Sequence, residues 1–283
     1  MQDRPVMLVT GASKGIGLAT VIKGLKAGYR VAATSRNQAR LEKAVAEQIE
    51  VKADQFIAVS MEFNQASIAQ AVATVQDKWG RIDVLVNNAG YAVLGAFEEF
   101  SLAEVQANFN VNVFGLIQMT QAVLPLMRAQ RAGKIINIAS ISGTVTGPGQ
   151  AIYSATKAAV IMMSEALADE VAPFGIQVTA VGPSGVRTDF LDDRSKKRPQ
   201  KQLLEYQVVR QTMAGLAQLN HNQSGDPELV GQAIITLAQM EEMPRRLYLG
   251  NWSLGALQQK IGTLVEEINR NVALSQSIDW PVE

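Results

Sequence analysis

The amino-acid sequence predicts an α/β fold, a doubly wound parallel sheet of about seven strands flanked by helices. Three observations carry that prediction. Short apolar, β-rich runs alternate with longer amphipathic segments along the 283 residues, the pattern of parallel strands joined by right-handed helical crossovers. The first run, Val-Met-Leu-Val-Thr at 6–10, passes at once into a glycine-rich turn and then a helical segment. Hydrophobic residues make up 47% of the chain, enough to build one large core.

The turn after the first strand reads Gly11-Ala-Ser-Lys-Gly15-Ile-Gly17, and the helix behind it spans 18–27 and ends near Gly28. Strand, glycine turn and helix in this order build a phosphate site. The glycines let the backbone approach a pyrophosphate, and the helix N-terminus offers free N–H groups and a positive dipole end. The spacing is Gly-x-x-x-Gly-x-Gly, not the commoner Gly-x-Gly-x-x-Gly, and a plain tight turn is the competing reading. The second strand, 30–34, ends at Ser35-Arg36-Asn37. A site that prefers NAD usually holds a carboxylate here for the ribose 2′-hydroxyl. Ser35 and Arg36 supply none, whereas Arg36 and Lys14 suit a 2′-phosphate, so the pattern favours NADP(H).

A helical segment at 38–50, a third strand at 56–60, an amphipathic helix at 65–79 and a fourth strand at 81–86 follow. The fourth strand runs into Asn87-Asn-Ala-Gly90, whose amides suit either a braced turn or the border of an adenosine. Ser101 with Glu104 forms a capping-box pattern that starts a long helix. Asn112 lies in that helix among apolar neighbours and needs a hydrogen-bond partner if buried, which does not preclude a catalytic part. The fifth strand runs from Lys134 to Ser140. A helix over 151–172 gives way at Pro173, and the sixth strand covers 175–181. The loop Gly182-Pro-Ser-Gly-Val-Arg-Thr188 leads into a stretch of mixed charge through Lys201, with Asp192, Asp193, Lys196, Lys197 and Arg198, read as solvated and mobile. Asp226-Pro-Glu opens another helix, 246–249 is the last strand and 253–272 the closing helix. Residues 1–283 read as a single domain, with a loop and helical region around 183–225 and a C-terminal helix around 253–272.

Lys plus Arg and Asp plus Glu both number 26, so the formal net charge is zero and no basic excess points to nucleic acid. The absence of cysteine excludes disulfides, thiolate metal sites and a cysteine nucleophile. His221 stands alone in Leu-Asn-His-Asn-Gln and reads as a surface residue, with no ligand cluster to support a metal. Met1-Gln-Asp-Arg-Pro leads directly toward the first strand without a signal-like apolar segment. The apolar run at 111–127 is broken by Asn112, Gln118, Thr120, Gln121 and Pro125, and is short of the ~20 residues a membrane span needs. A cytoplasmic protein without a membrane span is expected.

Chemistry concentrates at Tyr153-Ser-Ala-Thr-Lys157. Positions four apart share a helix face, so phenol and ammonium point into one space. A phenol ordinarily ionises near pH 10, and an adjacent cation favours the phenolate. Ser140, thirteen residues earlier, lies at a strand's carboxyl end, where open α/β sheets bind ligands. Taken alone, such a Tyr-x-x-x-Lys pair is far more often a solvated helix face, and only the rest of the chain changes that reading.

In order and spacing, Thr10-Gly-Ala-Ser-Lys-Gly-Ile-Gly17, Asn87-Asn-Ala-Gly90, Asn112, and Ser140 with Tyr153 and Lys157 resemble the short-chain dehydrogenase/reductase family over essentially the whole chain. Pro183-Ser-Gly-Val-Arg-Thr-Asp-Phe190, Gly225-Asp-Pro-Glu228 and Arg245-Arg-Leu-Tyr-Leu-Gly250 are similar to its 17β-hydroxysteroid- and retinol-dehydrogenase-like branch. The resemblance implies a Rossmann-type fold and a nicotinamide-dependent oxidoreductase interconverting a carbonyl and an alcohol. It implies Tyr153 as general acid/base and Lys157 as the group that lowers the phenol's pKa and holds the nicotinamide ribose. Ser140 would bind the substrate oxygen, and Asn112 would hold a water in the proton relay. Gly11, Ser13, Lys14, Gly15 and Ile16 would line the phosphates, Asn87 would lie near the adenosine ribose, and Val186 and Thr188 would meet the nicotinamide amide. It also implies a homodimer or homotetramer built on the helices at 111–127 and after Tyr153, and an apolar small-molecule carbonyl or alcohol as substrate.

Two positions depart from the family pattern. Glu62 stands where an adenine-contacting Asp is usual, and Ser184 replaces the glycine after Pro183, which puts that loop's backbone in question because Ser tolerates positive φ poorly. Two other readings stay open: a protein that senses NADP without turnover, and isomerase or dehydratase chemistry on the same fold. The retained Tyr153 and Lys157 speak against the first.

Overall fold

Burial alternates along the strands and dictates the layering. In the computed structural model, which describes residues 4–192 and 195–280, Met7 and Val9 pack into one hydrophobic cluster while Val6 and Leu8 pack into another. A strand that is apolar on both faces belongs inside a sheet covered on both sides. The strands are β1 (Val6–Val9), β2 (Arg30–Ser35), β3 (Phe56–Ser60), β4 (Val84–Asn87), β5 (Gly133–Ile138), β6 (Ile176–Pro183) and β7 (Arg246–Leu249). They form one seven-stranded parallel sheet in the order β3-β2-β1-β4-β5-β6-β7. The order reverses between β1 and β4, where such sheets leave a crevice at the strands' carboxyl ends.

The helices are α1 (Gly15–Lys26), α2 (Gln38–Ala46), α3 (Gln65–Trp79), α4 (Leu102–Phe109), α5 (Leu116–Gln130), α6 (Ala151–Val171), α7 (Gln207–Leu219), α8 (Pro227–Gln239), α9 (Asn251–Arg270) and the short α10 (Val272–Gln276). Ile22 of α1, Leu41 of α2 and Ile234 of α8 close one face of the sheet over Met7, Val31 and Val84. Ile68 of α3, Met119 of α5 and Val171 of α6 close the other over Leu8, Leu85 and Ile135. Among the described residues no helix is long and apolar enough to cross a membrane.

Several elements differ from the sequence reading. The fourth strand begins at Val84, not at 81, because Asp83 accepts the Val6 N–H at 2.7 Å and is clamped by the Arg81 guanidinium, so side chains anchor its entry. The fifth strand ends at Ile138, and Ser140 instead caps a 3-10 turn by accepting the Ser142 N–H at 3.1 Å. The long helix from Ser101 is interrupted by a π-helical turn over Asn110–Gly115. Ser184 does not adopt positive φ; its N–H continues the β6–β7 ladder to Leu249 O at 2.9 Å, and Gly250, at φ +101, lies against its hydroxyl. The mixed-charge stretch is not simply solvated. Lys197 pairs its backbone with Ala92 and Leu94 at 2.9 and 3.0 Å, and Lys196 is buried. Met1, Gln2, Asp3 and Asp193 lie outside the described residues.

Candidate active site

A polar group taken out of water must be satisfied, and that requirement assembles the floor of the site. Asn112, in the π-helical turn, accepts the Tyr91 N–H at 3.0 Å and donates to Tyr91 O at 3.0 Å and to Thr156 Oγ1 at 3.1 Å. One amide therefore pins the turn after β4 to α6. A π-turn inserts one residue into a helix and is frequent at functional sites. Here it sets Asn112 against Gly90, where a Cβ would come within 3.1 Å of Asn112 Oδ1 and 3.4 Å of Lys157 Nζ. Asn108, a turn earlier, adds a bond to Tyr91 O at 2.9 Å.

α6 then brings Tyr153 and Lys157 to the same spot, both buried, with the Lys157 Nζ 5.9 Å from the phenol ring centroid. Lys157 donates to Ile138 O at 2.8 Å, the carbonyl that ends β5. Ser140, two residues beyond that carbonyl, caps the turn next to α6 and acts to lower the Tyr153 pKa. The structure thus unites Asn112, Ser140, Tyr153 and Lys157 at the carboxyl ends of β4 and β5.

The electrostatics correct one expectation. Burial pushes the Tyr153 phenol up to about 12, and Ser140 offsets this only in part. Burial also brings the Lys157 ammonium down to about 8. Lys157 does not bring the phenol below its ordinary value, because desolvation acts on both groups and the ammonium is spent on Ile138 O.

The glycine turn fits a dinucleotide pyrophosphate on observations of its own. The N-terminus of α1 has no side-chain cap and no acid in its first turn, so its N–H groups are not spent on side-chain oxygens. Gly11, at φ +65, would carry a Cβ 2.7 Å from the Ala89 Cα, so only glycine fits. Asn88 braces this turn, donating to Thr10 O at 2.9 Å and Gly11 O at 3.1 Å, which settles its structural part. The Asn87 side chain is turned inward, donating to Thr120 Oγ1 at 3.0 Å and to Asn137 Oδ1 at 2.9 Å, so its backbone, not its amide, is what an adenosine could meet. Arg36 and Glu62 are exposed at the ends of β2 and β3. Val186 bridges to Gly225, and the Thr188 methyl lies beside Gly15, 3.3 Å from where a Cβ would stand. Lys14 reaches the same loop through Ser195 Oγ at 2.5 Å and Asp189 at 3.5 Å.

Several groups at the site carried no sequence signal. Phe190 stacks at a tilt on Tyr153, with centroids 6.0 Å apart. With Val93, Leu94, Ile152, Met213 and Leu216 it forms the apolar cluster that contains the phenol. Glu99 is buried and receives the Ala96 N–H at 2.8 Å, the Leu203 N–H at 2.7 Å and the Arg210 guanidinium, which docks α7 against that cluster. Burial alone would raise the Glu99 carboxyl; these donors outweigh it and bring it to about 2. His221 is not isolated. The fold gathers it with Asp189 and Asp192 so that their ligand atoms lie within 4.8 Å of one another, and Asp192 accepts from His221 at 2.8 Å. Asp192 and His221, 29 residues apart in sequence, meet there, which composition could not show. A surface depression lined by Arg30, Asp54, Lys78 and Trp79 sits at the opposite, amino ends of the strands and has no part in this site.

Comparison with known proteins agrees with this geometry. The model of a family described as short chain dehydrogenase matches residues 5–199. A 3-ketodihydrosphingosine reductase of Bacteroides thetaiotaomicron is 36% identical over 245 residues, 87% of this chain and 87% of that protein. A short-chain dehydrogenase from Streptomyces avermitilis superimposes with a TM-score of 0.88 at 36% identity, covering 97% of this chain and 100% of the other. The closed form of a serine dehydrogenase complexed with NADP+ superimposes with a TM-score of 0.72 at 28% identity, covering 86% and 94%.

Proposed function

The chain belongs to the short-chain dehydrogenase/reductase family, a nicotinamide-dependent oxidoreductase lineage, and from that premise we propose that it reduces an apolar ketone or aldehyde with NADPH. The observation that carries the proposal is the buried Tyr153 phenol, with Lys157 beside its ring, Ser140 acting to lower its pKa and apolar side chains packed around it. A phenol with a pKa near 12 is fully protonated at neutral pH, the state in which it can donate to a carbonyl oxygen.

The nicotinamide, when bound, supplies the hydride to the carbonyl carbon. The protein holds and moves the proton. Ser140 Oγ–H and Tyr153 O–H both donate to the carbonyl oxygen and polarise it, and the Tyr153 proton transfers as the alkoxide forms. Lys157, released from Ile138 O, holds the nicotinamide ribose and stabilises the transient phenolate. Asn112 holds the floor of the relay and orients a water toward Lys157. Gly11, Ser13, Lys14, Gly15 and Ile16 receive the pyrophosphate, while Val186 and Thr188 meet the nicotinamide amide. Lys14 and Arg36 recognise the 2′-phosphate. The looser contacts are Glu62 to the adenine and the Asn87 backbone to the adenosine ribose.

The apolar residues packed around Tyr153 favour a carbonyl carried on a long apolar frame, a class consistent with the name of the 3-ketodihydrosphingosine reductase relative. Branch membership near hydroxysteroid and retinol dehydrogenases belongs to the same proposal. Its markers meet in space, since Gly225 N–H bonds Gly185 O at 3.0 Å and Ser184 N–H bonds Leu249 O at 2.9 Å.

The test is a carbonyl panel of 3-oxoacyl thioesters, ketosteroids, retinal, quinones and small ketones, followed by NADPH absorbance. Stoichiometric NADP+ formation with an apolar member is expected, and no turnover with any member would leave the sensing alternative standing. Replacing Arg36 with Asp removes a charge-assisted contact, on the order of 1.5–3 kcal/mol, and should shift preference toward NADH. Equal affinity of the parent protein for both cofactors would sink the NADP assignment.

A further inference from the structure

A helix in water is marginal unless something packs against it. α9 starts well anchored, with Ser253 buried and its hydroxyl bonded to Leu249 O at 3.2 Å, and Leu257 is partly covered. From Ile261 onward every described residue is exposed, through the end of α9 and on to Trp280. That half is not polar. Ile261, Leu264, Val265 and Ile268 are 52, 41, 49 and 64% exposed. Leu257, Ile261, Leu264 and Ile268 repeat at intervals of four, three and four, which places them in one stripe along the helix, the seam of a coiled coil.

The polar flanks of the stripe identify what covers it. Lys260 and Glu267 occupy the same flanking position one heptad apart. Turned antiparallel about a two-fold axis between Gly262 and Thr263, two copies of α9 stack Leu257 on Ile268 and Ile261 on Leu264 in four apolar layers. The same rotation sets Lys260 of each helix opposite Glu267 of the other, so the flank is complementary to itself. The globular body sits at the N-terminal end of each α9, so the antiparallel arrangement keeps the two bodies apart, whereas a parallel one would drive them together. A lipid surface is the poorer fit, since residues 251–280 carry Lys260 and Arg270 against Glu266, Glu267 and Asp279, without the basic face that binds anionic membranes. We propose that the exposed half of α9 is a docking surface for a second copy of this chain, forming an antiparallel two-helix interface distinct from the α5–α6 face.

The absence of cysteine makes the test direct. Two variants of the full chain, Leu257→Cys and Ile268→Cys, are mixed and oxidised. These positions are about 16 Å apart along one helix, too far for a bond within a chain or between two identical variants in register. The proposal expects a disulfide-linked dimer in the mixture and none in either variant alone. A second arm reads the charges by sedimentation equilibrium. Lys260→Glu and Glu267→Lys should each weaken association at least ~10-fold, and the double exchange should restore it. All these positions except Leu257 are exposed or lie at the helix surface, so circular dichroism and NADPH binding should stay as in the parent. No mixed disulfide, a double exchange that fails to restore association, or flotation of the parent with phosphatidylcholine–phosphatidylglycerol vesicles would each overturn the proposal.

Discussion

A phenol and an ammonium four residues apart can act on each other only as strongly as their surroundings allow. Tyr153 and Lys157 are both buried, so desolvation governs each before either governs the other. Tyr153→Phe keeps the ring against Phe190 and removes only the hydroxyl. Turnover should then fall by at least ~10²–10⁴-fold, with NADPH affinity by fluorescence titration nearly unchanged; a variant that keeps most of its turnover removes Tyr153 from the mechanism. Lys157 makes a prediction about stability. Its folded pKa of about 8 lies below the ordinary lysine value of 10.5, so between those values the unfolded chain binds more protons. Stability therefore rises with pH through that window, and the buried charge is a full cost below it, about 3 kcal/mol at most. Urea midpoints of the parent should climb relative to Lys157→Met between pH 8 and 10, and parallel curves would contradict the buried ammonium. Tyr153, Lys157, Ser140 and Asn112 were singled out from the sequence by the family resemblance, since spacing alone did not separate the Tyr-x-x-x-Lys pair from a solvated helix face. The direction of the tyrosine shift was not legible, because burial is a property of the assembled fold.

At the scale of elements, the strands and sheet-covering helices were readable because each carries its own period of apolar residues. What escaped depends on distant partners. The π-helical turn at Asn110–Gly115 is fixed by Asn112 reaching Tyr91, and the strap at 195–203 by Lys197 reaching Ala92. α7 is held by Glu99, a residue that in sequence is one more surface acid. The Glu99 carboxyl sits at about 2 when folded, against an ordinary 4.5, so the docking it provides is complete above pH 4.5 and is lost as pH falls toward 2. At neutral pH, Glu99→Gln should raise amide hydrogen exchange across 203–219 by about a hundredfold, with the sheet unchanged. Exchange that is unaltered there would mean that α7 is held by its apolar contacts alone.

At the scale of the whole molecule, the composition announced a large buried core and said nothing of how copies meet, since an apolar residue reads the same in a core and in an interface. The structure shows which apolar residues lie outside the core. Phe114 on the π-helical turn is 49% exposed and Met162 on α6 is 60% exposed, on elements that pack against each other. We expect these to meet their counterparts across a two-fold axis in a four-helix interface, as the family resemblance implies. The stripe on α9 is a second self-complementary surface, at the far end of the chain. Two different two-fold interfaces on one chain close into a tetramer when their axes cross at right angles. Light scattering of the parent at micromolar concentration should then give four times the chain mass. Phe114→Lys with Met162→Lys should leave a dimer joined through α9, and Leu264→Glu a dimer joined through α5 and α6. Combining all three should give the monomer. A parent that is already monomeric would contradict both interfaces at once, while a triple variant that remains dimeric would point to a third surface and remove the division of labour between these two.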